Sequence, residues 1–330
     1  MRAELLDVLR CPLSAQRLQP VDCTGSHSQI EAGWLVSEDG RHRYPIRQSV
    51  PRFVPESNYA DNFGMQWNKF SRTQLDSHSG HPISARRFWA ATGWSVADLA
   101  GKWVLDAGCG AGRFAEVALE AGASVVALDY SSAVDACYAN LGYHSNLHAI
   151  QADIYSLPLA RASFAFVYSL GVLQHTPDVG RAFAALPLML EPGGRLCVDF
   201  YERSWKSRLL PKYWLRPITT RIPRARLLAS VQLLVPVLLP LSRALATVPG
   251  IGSQLKRIVP VANYFGELPL NAQQQMEWSM LDTFDWLSPQ FDQPQTSRTV
   301  RSWLKGAGMA DVEVLKAGHL VGRGRMPPIS

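Results

Sequence analysis

The run Asp106-Ala-Gly-Cys-Gly-Ala-Gly-Arg113 places three glycines where an apolar stretch, Val104-Leu105, gives way to a helix-forming one. Gly108, Gly110 and Gly112 permit a tight turn, and a ligand can lie directly against its bare backbone. The amides that open the following helix would face that ligand and favour a negative group such as a carboxylate. Asp106, two residues ahead of the first glycine, suits an ammonium, met directly or through water. A dinucleotide loop would put its third glycine at position 113, which is Arg113; here that glycine comes one residue early. Ser124-Val-Val-Ala-Leu-Asp129 then reads as a buried strand ending in an acid, 21 residues past Gly108. A carboxylate there can accept both hydroxyls of a ribose, or it can cap the next helix. Tyr130 could pack on adenine. Asp153, in Gln151-Ala-Asp-Ile154, could take the adenine amino group with Ile154 as an apolar wall, or it could cap a turn.

These residues need a scaffold, and residues 101–201 supply its signature. Val104-Leu105, Ser124–Leu128, Phe164–Tyr168 and Arg195–Phe200 read as strands. Arg113–Ala121, Ser132–Leu141 and Val179–Leu190 read as helices, and Leu190-Glu-Pro-Gly-Gly-Arg195 as a turn between helix and strand. Strands alternating with helices imply an α/β fold with a parallel sheet and helices on both faces. Such a sheet binds ligands at the carboxyl ends of its strands. The chain divides into a β-rich module (1–57), a helical leader (58–100), the sheet core (101–201), a helical insertion (202–295) and a closing helix and strands (296–330) that complete the sheet.

The ordered set of glycine loop, Asp129, Gln151-Ala-Asp153, the strand ending in Tyr168-Ser169 and Leu190-Glu-Pro-Gly-Gly resembles the class I methyltransferases, which are Rossmann-like. The resemblance implies S-adenosylmethionine as cofactor. It assigns contacts with it to Gly108, Gly110, Asp129, Asp153, Ile154 and Ser169; Asp106, Gly112 and Tyr130 join them from the reading above. Members acting on amide or exocyclic nitrogens often carry an Asn/Asp-Pro-Pro-aromatic motif where this chain has Ser169-Leu-Gly-Val172. That departure points to a small-molecule acceptor (a glycan, a lipid-linked compound or a secondary metabolite), with O-methylation favoured.

An oxygen acceptor often needs a general base, and His175 lies just past the cofactor edge. Its ordinary pKa suits proton removal near neutrality; the alternative is a histidine that holds its loop by a backbone hydrogen bond. Leu281–Asp292 interleaves aromatics and carboxylates without helical or strand periodicity, as a packed surface loop or a pocket wall would. Trp278, Asp282 and Asp285 are the candidate acceptor contacts. Phe63, Gln66 and Trp67 could cover the methionine end or simply pack in the core.

Leu5-Leu-Asp-Val-Leu-Arg-Cys-Pro12, Tyr44-Pro-Ile46 and Val50-Pro-Arg-Phe53 resemble the short zinc-ribbon proteins that partner or activate methyltransferases. A ribbon needs about four Cys or His ligands in two close pairs. Cys11 has Ser14 at its partner position, and no cysteine stands near Ser37, so the module is expected to hold no metal. Five scattered cysteines suit a reducing compartment. With no signal peptide recognisable at the start, a cytoplasmic location is expected.

The charge is uneven. Between Arg203 and Arg257 stand eleven Lys or Arg and no Asp or Glu, which leaves 22 basic against 27 acidic residues elsewhere. Within that segment Leu227–Ser242 has 16 residues without charge. It is short for a membrane span, and Pro236 and Pro240 are expected to interrupt it. A helical lid over the substrate, an interfacial element gripping anionic lipid at a membrane surface, and a solvated basic cap are the three readings. An RNA methyltransferase is the alternative function, but a Leu-rich stretch without an RNA-binding motif argues against nucleic acid. A third reading is a non-catalytic cofactor-binding regulator; one that kept the fold only to bind a partner would not need the intact glycine loop and Asp129.

Overall fold

The structure, a computed structural model, describes residues 1–26, 28–55, 58–204 and 210–328. Leu18–Gly25 (β1), Ile30–Ser37 (β2), Arg43–Arg47 (β3) and Val50–Pro51 (β4) pair in chain order as an antiparallel sheet. The helices Asp61–Lys69 (α1), Asp76–Ser79 (α2), Ile83–Thr92 (α3) and Val96–Leu99 (α4) follow. Strand and helix then alternate: Trp103–Ala107 (β5), Arg113–Glu120 (α5), Ser124–Asp129 (β6), Ala133–Leu141 (α6), Leu147–Gln151 (β7), Phe164–Ser169 (β8), Val179–Ala185 (α7) and Leu190–Phe200 (β9). Next come the helices Pro211–Thr219 (α8), Arg224–Ala246 (α9), Gly252–Leu255 (α10) and Ala272–Leu287 (α11). Ser297–Gly306 (α12), Ala310–Ala317 (β10) and His319–Arg325 (β11) close the chain.

The main sheet is Rossmann-like, in the order β10-β11-β9-β8-β5-β6-β7. β9, β8, β5, β6 and β7 are parallel, and β11 is antiparallel to both β9 and β10. The chain moves outward from β5 to β6 and β7, then returns across β5 to β8. The crevice at this reversal is where open α/β sheets take their ligands. β8, inside the sheet, is buried along its whole length and reads as an apolar run rather than an alternating one; β7, at the edge, is equally buried but carries His148 and Gln151. Leu105, Val126, Ile150 and Val198 enter the core on one face; Val104, Val125, Ala127 and Cys197 enter that on the other.

The N-terminal sheet shares the first of these cores: Leu5, Leu9, Leu35 and Ile46 pack in one cluster with Leu105, Ile150 and Phe164. Phe53 donates its amide to the Gln151 carbonyl at 2.8 Å, which ties the module to the β7 edge. At the opposite corner Leu227, Val231, Val235 and Leu239 of α9 pack on Leu281, Phe284 and Leu287 of α11. All five cysteines are free.

Three expectations need correcting. Leu190–Arg195 is not a turn but the irregular start of β9, where Phe164 pairs with Leu190 and Phe166 with Arg195; the extra residues bulge at Gly193, whose φ is +81°. Pro236 and Pro240 do not interrupt the apolar segment, because α9 continues through both. Each proline forfeits one helical bond, but both stand on the exposed side, where water can reach the freed carbonyls. Of the two readings of Leu281–Asp292 the surface loop falls and the pocket wall stands: its first seven residues are the last two turns of α11, which opens with a reciprocal capping box between Asn271 and Gln274. Lys206 and Arg208, two cations of the basic segment, lie outside the described residues.

Since the module and the main sheet share a core, they should unfold together. Leu9→Ala, at a fully buried position in that core, should cost about 2–5 kcal/mol and still give a single transition in urea. Two separated transitions followed by fluorescence and circular dichroism would contradict the shared core.

Candidate active site

Above the β5/β8 crevice lies a cavity of about 820 Å³, within the range that holds a cofactor and a small second molecule. Its floor is the glycine turn. Gly108, Gly110 and Gly112 all have positive φ, at +98°, +53° and +96°. A Cβ on Gly108 would overlap the isopropyl group of Val172, and one on Gly110 would stand 3.3 Å from the Trp67 ring. Any side chain at either position would fill space between the turn and its neighbours. Gly112 does not line the cavity. There a Cβ would meet Leu141 at 2.6 Å, so this glycine lets α5 start close against α6.

Asp129 holds the turn from the side. One carboxylate oxygen accepts the Gly110 amide at 2.9 Å; the other accepts the Ser131 amide at 2.8 Å and hydroxyl at 2.7 Å. A carboxylate offers about four acceptor directions, so one remains for a ligand, and a second opens if the Ser131 hydroxyl turns away. Burial raises the Asp129 pKa against these donors. Tyr130 and Ile154 line the same end of the cavity, and Tyr59 packs its ring on Tyr130 with centroids 5.0 Å apart.

Three other candidates sit elsewhere than expected. Ser169 is fully buried and donates its hydroxyl to the Ala107 carbonyl at 2.7 Å, which ties β8 to β5 behind the cavity. The residues that reach the cavity there are Leu170, Gly171 and Val172. Asp153 accepts the Tyr155 amide at 2.9 Å and so caps its turn instead of lining the wall. Asp106 lies under the loop, and its Oδ2 is buried without a hydrogen-bond partner. Burial lifts its carboxyl to about 8.

His175 lines the cavity between Phe63 and Tyr201, with ring centroids at 5.4 and 5.7 Å. Its Nδ1 lies 3.0 Å from the Phe291 carbonyl. A carbonyl only accepts, so Nδ1 carries the hydrogen and, in the neutral ring, Nε2 is an acceptor. The two readings of this histidine are therefore compatible, because the backbone bond fixes the tautomer a base requires.

The far end is built on α11. Trp278, Asp282 and Asp285 all line the cavity, at a spacing that puts them on one side of a helix, while Leu281, Phe284 and Leu287 pack away from it. Asp282 accepts from Gln74 Nε2 and Trp278 Nε1, each at 3.1 Å, and from the Tyr264 hydroxyl. Gln74 in turn accepts from Arg113 at 2.9 Å. Asp285 accepts from Gln66 at 3.2 Å. Of the leader residues, Phe63 and Trp67 line the cavity, whereas Gln66 is wholly buried beneath it.

Sequence reading passed over Arg87 and His319. Both line the cavity, and Arg87 pairs with Asp199 at 2.8 Å. Asp199 also accepts the Gly171 amide, so one buried carboxylate fixes both the arginine and the loop over the glycine turn. Burial, reinforced by Arg87, lowers His319 to about 4. Neither residue stands in a recognisable motif. His319 offered only its place at the head of an expected strand.

Residues 105–198 match the family described as methyltransferase domain, and residues 2–49 match Trm112p-like proteins. The ubiquinone biosynthesis O-methyltransferase of Aromatoleum aromaticum is 32% identical over 132 residues, which cover 39% of this chain and 56% of that protein. Its counterpart from Thiobacillus denitrificans is 32% identical over 151 residues, 44% of this chain and 62% of that one. The malonyl-acyl-carrier-protein O-methyltransferase of Pseudescherichia vulneris is 38% identical over 91 residues, covering 28% and 36%. This chain thus spans about half the length of the first curated relatives it matches. It carries a methyltransferase domain preceded by a Trm112p-like module.

The far end of the cavity makes a pH prediction. Burial raises Asp282 to about 6, so the folded chain holds a proton that the unfolded chain has released. Stability should therefore fall as pH rises from about 4 towards 6, and this group should add no further change above that. Asp282→Asn should remove the decline, read from urea midpoints at a series of pH values. Parallel profiles for the two proteins would refute it.

Proposed function

We propose that this chain is an S-adenosylmethionine-dependent methyltransferase acting on a hydroxyl of a small-molecule acceptor: a glycan, a lipid-linked compound or a secondary metabolite. The observation that carries the reading is a glycine turn, braced by Asp129, opening into a cavity whose far end is lined with polar side chains. S-Adenosylmethionine, when bound, supplies a methyl group already activated on a sulfonium. The residues fit that molecule on three counts. The turn would lose its cradle to a single Cβ at Gly108 or Gly110. Asp129 keeps acceptor capacity for a ribose hydroxyl. Asp106 has a buried oxygen without a partner beneath the turn; it holds its proton at neutral pH and would release it to face an ammonium.

The chain's own task is then alignment more than activation. Gly108 and Gly110 would bear the methionine end, with Asp129 at the ribose and Tyr130 and Ile154 on either side of the base. His175 would take the acceptor's proton at Nε2 while its Nδ1 stays on the Phe291 carbonyl. Phe63 and Tyr201, packed on either side of that imidazole, would keep water from it. Trp278, Asp282 and Asp285 would orient the acceptor. In this reading the chain works in the cytoplasm, at an anionic membrane surface when the acceptor is lipid-linked.

An RNA acceptor is the second reading, which draws on the zinc-ribbon likeness and on the eleven cations between Arg203 and Arg257. The far end of the cavity, where Asp282 is held by three side-chain donors, supports the smaller acceptor.

Titration calorimetry with S-adenosylmethionine and its demethylated product should show binding that weakens at least ~10-fold in Asp129→Ala, in line with one lost charge-assisted bond. His175→Gln should retain that affinity while methyl transfer slows by roughly 10²–10⁴. A chain that retained neither nucleoside would end this proposal. Label from a deuterated-methyl cofactor appearing in RNA rather than in small molecules would replace it with the second reading.

A further inference from the structure

Helix α9 is apolar on two sides. Val231, Val235 and Leu239 form a buried ridge against Leu281 and Phe284 of α11. Leu233, Val237 and Leu241 repeat the same four-residue spacing two positions out of phase, about 200° around the helix at 3.6 residues per turn. This second ridge is bare: the three side chains are 73%, 68% and 51% exposed, and Leu234 beside them is 51% exposed. A soluble helix needs one apolar side to hold it in place, and contiguous bare apolar surface of this kind marks an interaction site.

The surroundings indicate what covers it. The segment from Arg203 to Arg257 holds eleven cations and no acid. Arg226 stands two turns ahead of Leu233 on the same side of α9, and it is exposed. At that end of the helix a second cavity, of about 460 Å³, is lined by Arg221, Arg224, Thr219, Thr220, Asn62 and Ser288. The positive end of the α9 dipole adds to their charge. The acids that reach this region come from other elements: Asp61 pairs with Arg224 at 3.2 Å, and Glu267 pairs with Lys256. Beyond the carboxyl end of α9, Arg257 and Ile258 are again exposed.

We infer that the bare ridge of α9 and the arginine-lined cavity at its start form a docking surface for an anionic bilayer. Leu233, Val237 and Leu241 enter the acyl boundary while Arg221, Arg224 and Arg226 lie among the phosphate headgroups. The helix lies in the interface and does not cross it. Its 23 residues are long and apolar enough to span, but its opposite ridge is built into the protein core. A free polar partner would not need the apolar ridge, and an uncharged apolar partner would not need the arginines; a membrane of anionic lipid uses both. One helix connects this surface to the site, since α11 packs α9 on one side and presents Trp278, Asp282 and Asp285 to the main cavity on the other. Docking would therefore bring the acceptor end of the cavity close to the bilayer. That consequence, though not the docking itself, rests on the proposed methyltransferase reading.

Flotation of the full chain with phosphatidylcholine vesicles, with and without phosphatidylglycerol, tests the surface directly. The chain should float with the anionic vesicles only, and high salt should weaken that binding. The triple variant Leu233→Gln/Val237→Gln/Leu241→Gln should lose at least ~10-fold in partitioning, and so should Arg221→Gln/Arg226→Gln. Both variants should keep their affinity for the demethylated nucleoside in calorimetry, because none of these residues lines the main cavity; that measurement also shows that they fold. Flotation of the triple variant at the wild-type level would overturn the inference, as would a nucleoside-binding wild type that ignores anionic vesicles. A dimer that the triple variant converts to monomer, without vesicle binding by either protein, would overturn it in favour of a second copy of the chain. Loss of nucleoside binding with intact flotation would strike the methyltransferase reading and leave the docking surface standing.

Discussion

Gly108 and Val172 meet where the sheet reverses direction, and the site depends on their closeness. The loop after β5 and the loop after β8 can approach only because position 108 has no side chain. Their approach is then locked from both flanks. On one, Asp129 at the end of β6 accepts the Gly110 amide. On the other, Asp199 near the end of β9 accepts the Gly171 amide and pairs with Arg87 of α3. Four adjacent strand ends thus contribute one part each to a single constraint. Neither carboxylate needs a ligand in order to hold the loops, so the cradle is largely preformed, and a preformed site loses less free energy to ordering when something binds.

A buried site of this kind must also balance its charges. Arg87 and Arg113 both line the cavity, and burial lowers Arg113 to about 10, with Arg87 adding repulsion. The compensation comes from two directions: Asp199 from the sheet, and Asp282 from α11 with Gln74 as the bridge. Removing one partner of such a network leaves an uncompensated buried charge, which destabilises far more than the intact pair contributes. Helix α11 is therefore part of the sheet's electrostatic arrangement as well as a cover over it. Its apolar side anchors α9, and its polar side neutralises the cavity.

That arrangement explains what the sequence did and did not make legible. The core was legible because parallel strands buried on both faces must be apolar along their length, and the helices between them must not be. The glycine turn and Asp129 were legible because backbone conformation and charge demand those residue types at that spacing. The helical character of Leu281–Leu287 was hidden for a physical reason: this end of α11 is amphipathic about a polar cavity, so its inward side carries carboxylates, and the usual equation of inward with apolar fails. Ser169 and Asp153 do not line the cavity, because a resemblance gives a position along the strand but not which way a side chain turns. Both spend their oxygens on neighbouring backbone groups. Arg87 was missed since its partner lies 112 residues away, and no local pattern carries such a pairing.

The prolines of α9 bear on its placement. Each removes one amide from the helical ladder and leaves the carbonyl four residues earlier without that partner. In the hydrocarbon interior of a bilayer such a group costs several kcal/mol unless a neighbouring helix, a side chain or an ordered water replaces the lost partner. A helix spanning the membrane would carry two of them, at Gln232 and Pro236. Gln232, Pro236 and Pro240 are all exposed and lie on the flank between the buried and the bare ridge. With the helix in the plane of the interface, that flank stays at the level of the headgroups, where water satisfies both carbonyls. A helix that lies flat needs no such substitute, and the ridge packed on α11 keeps it there.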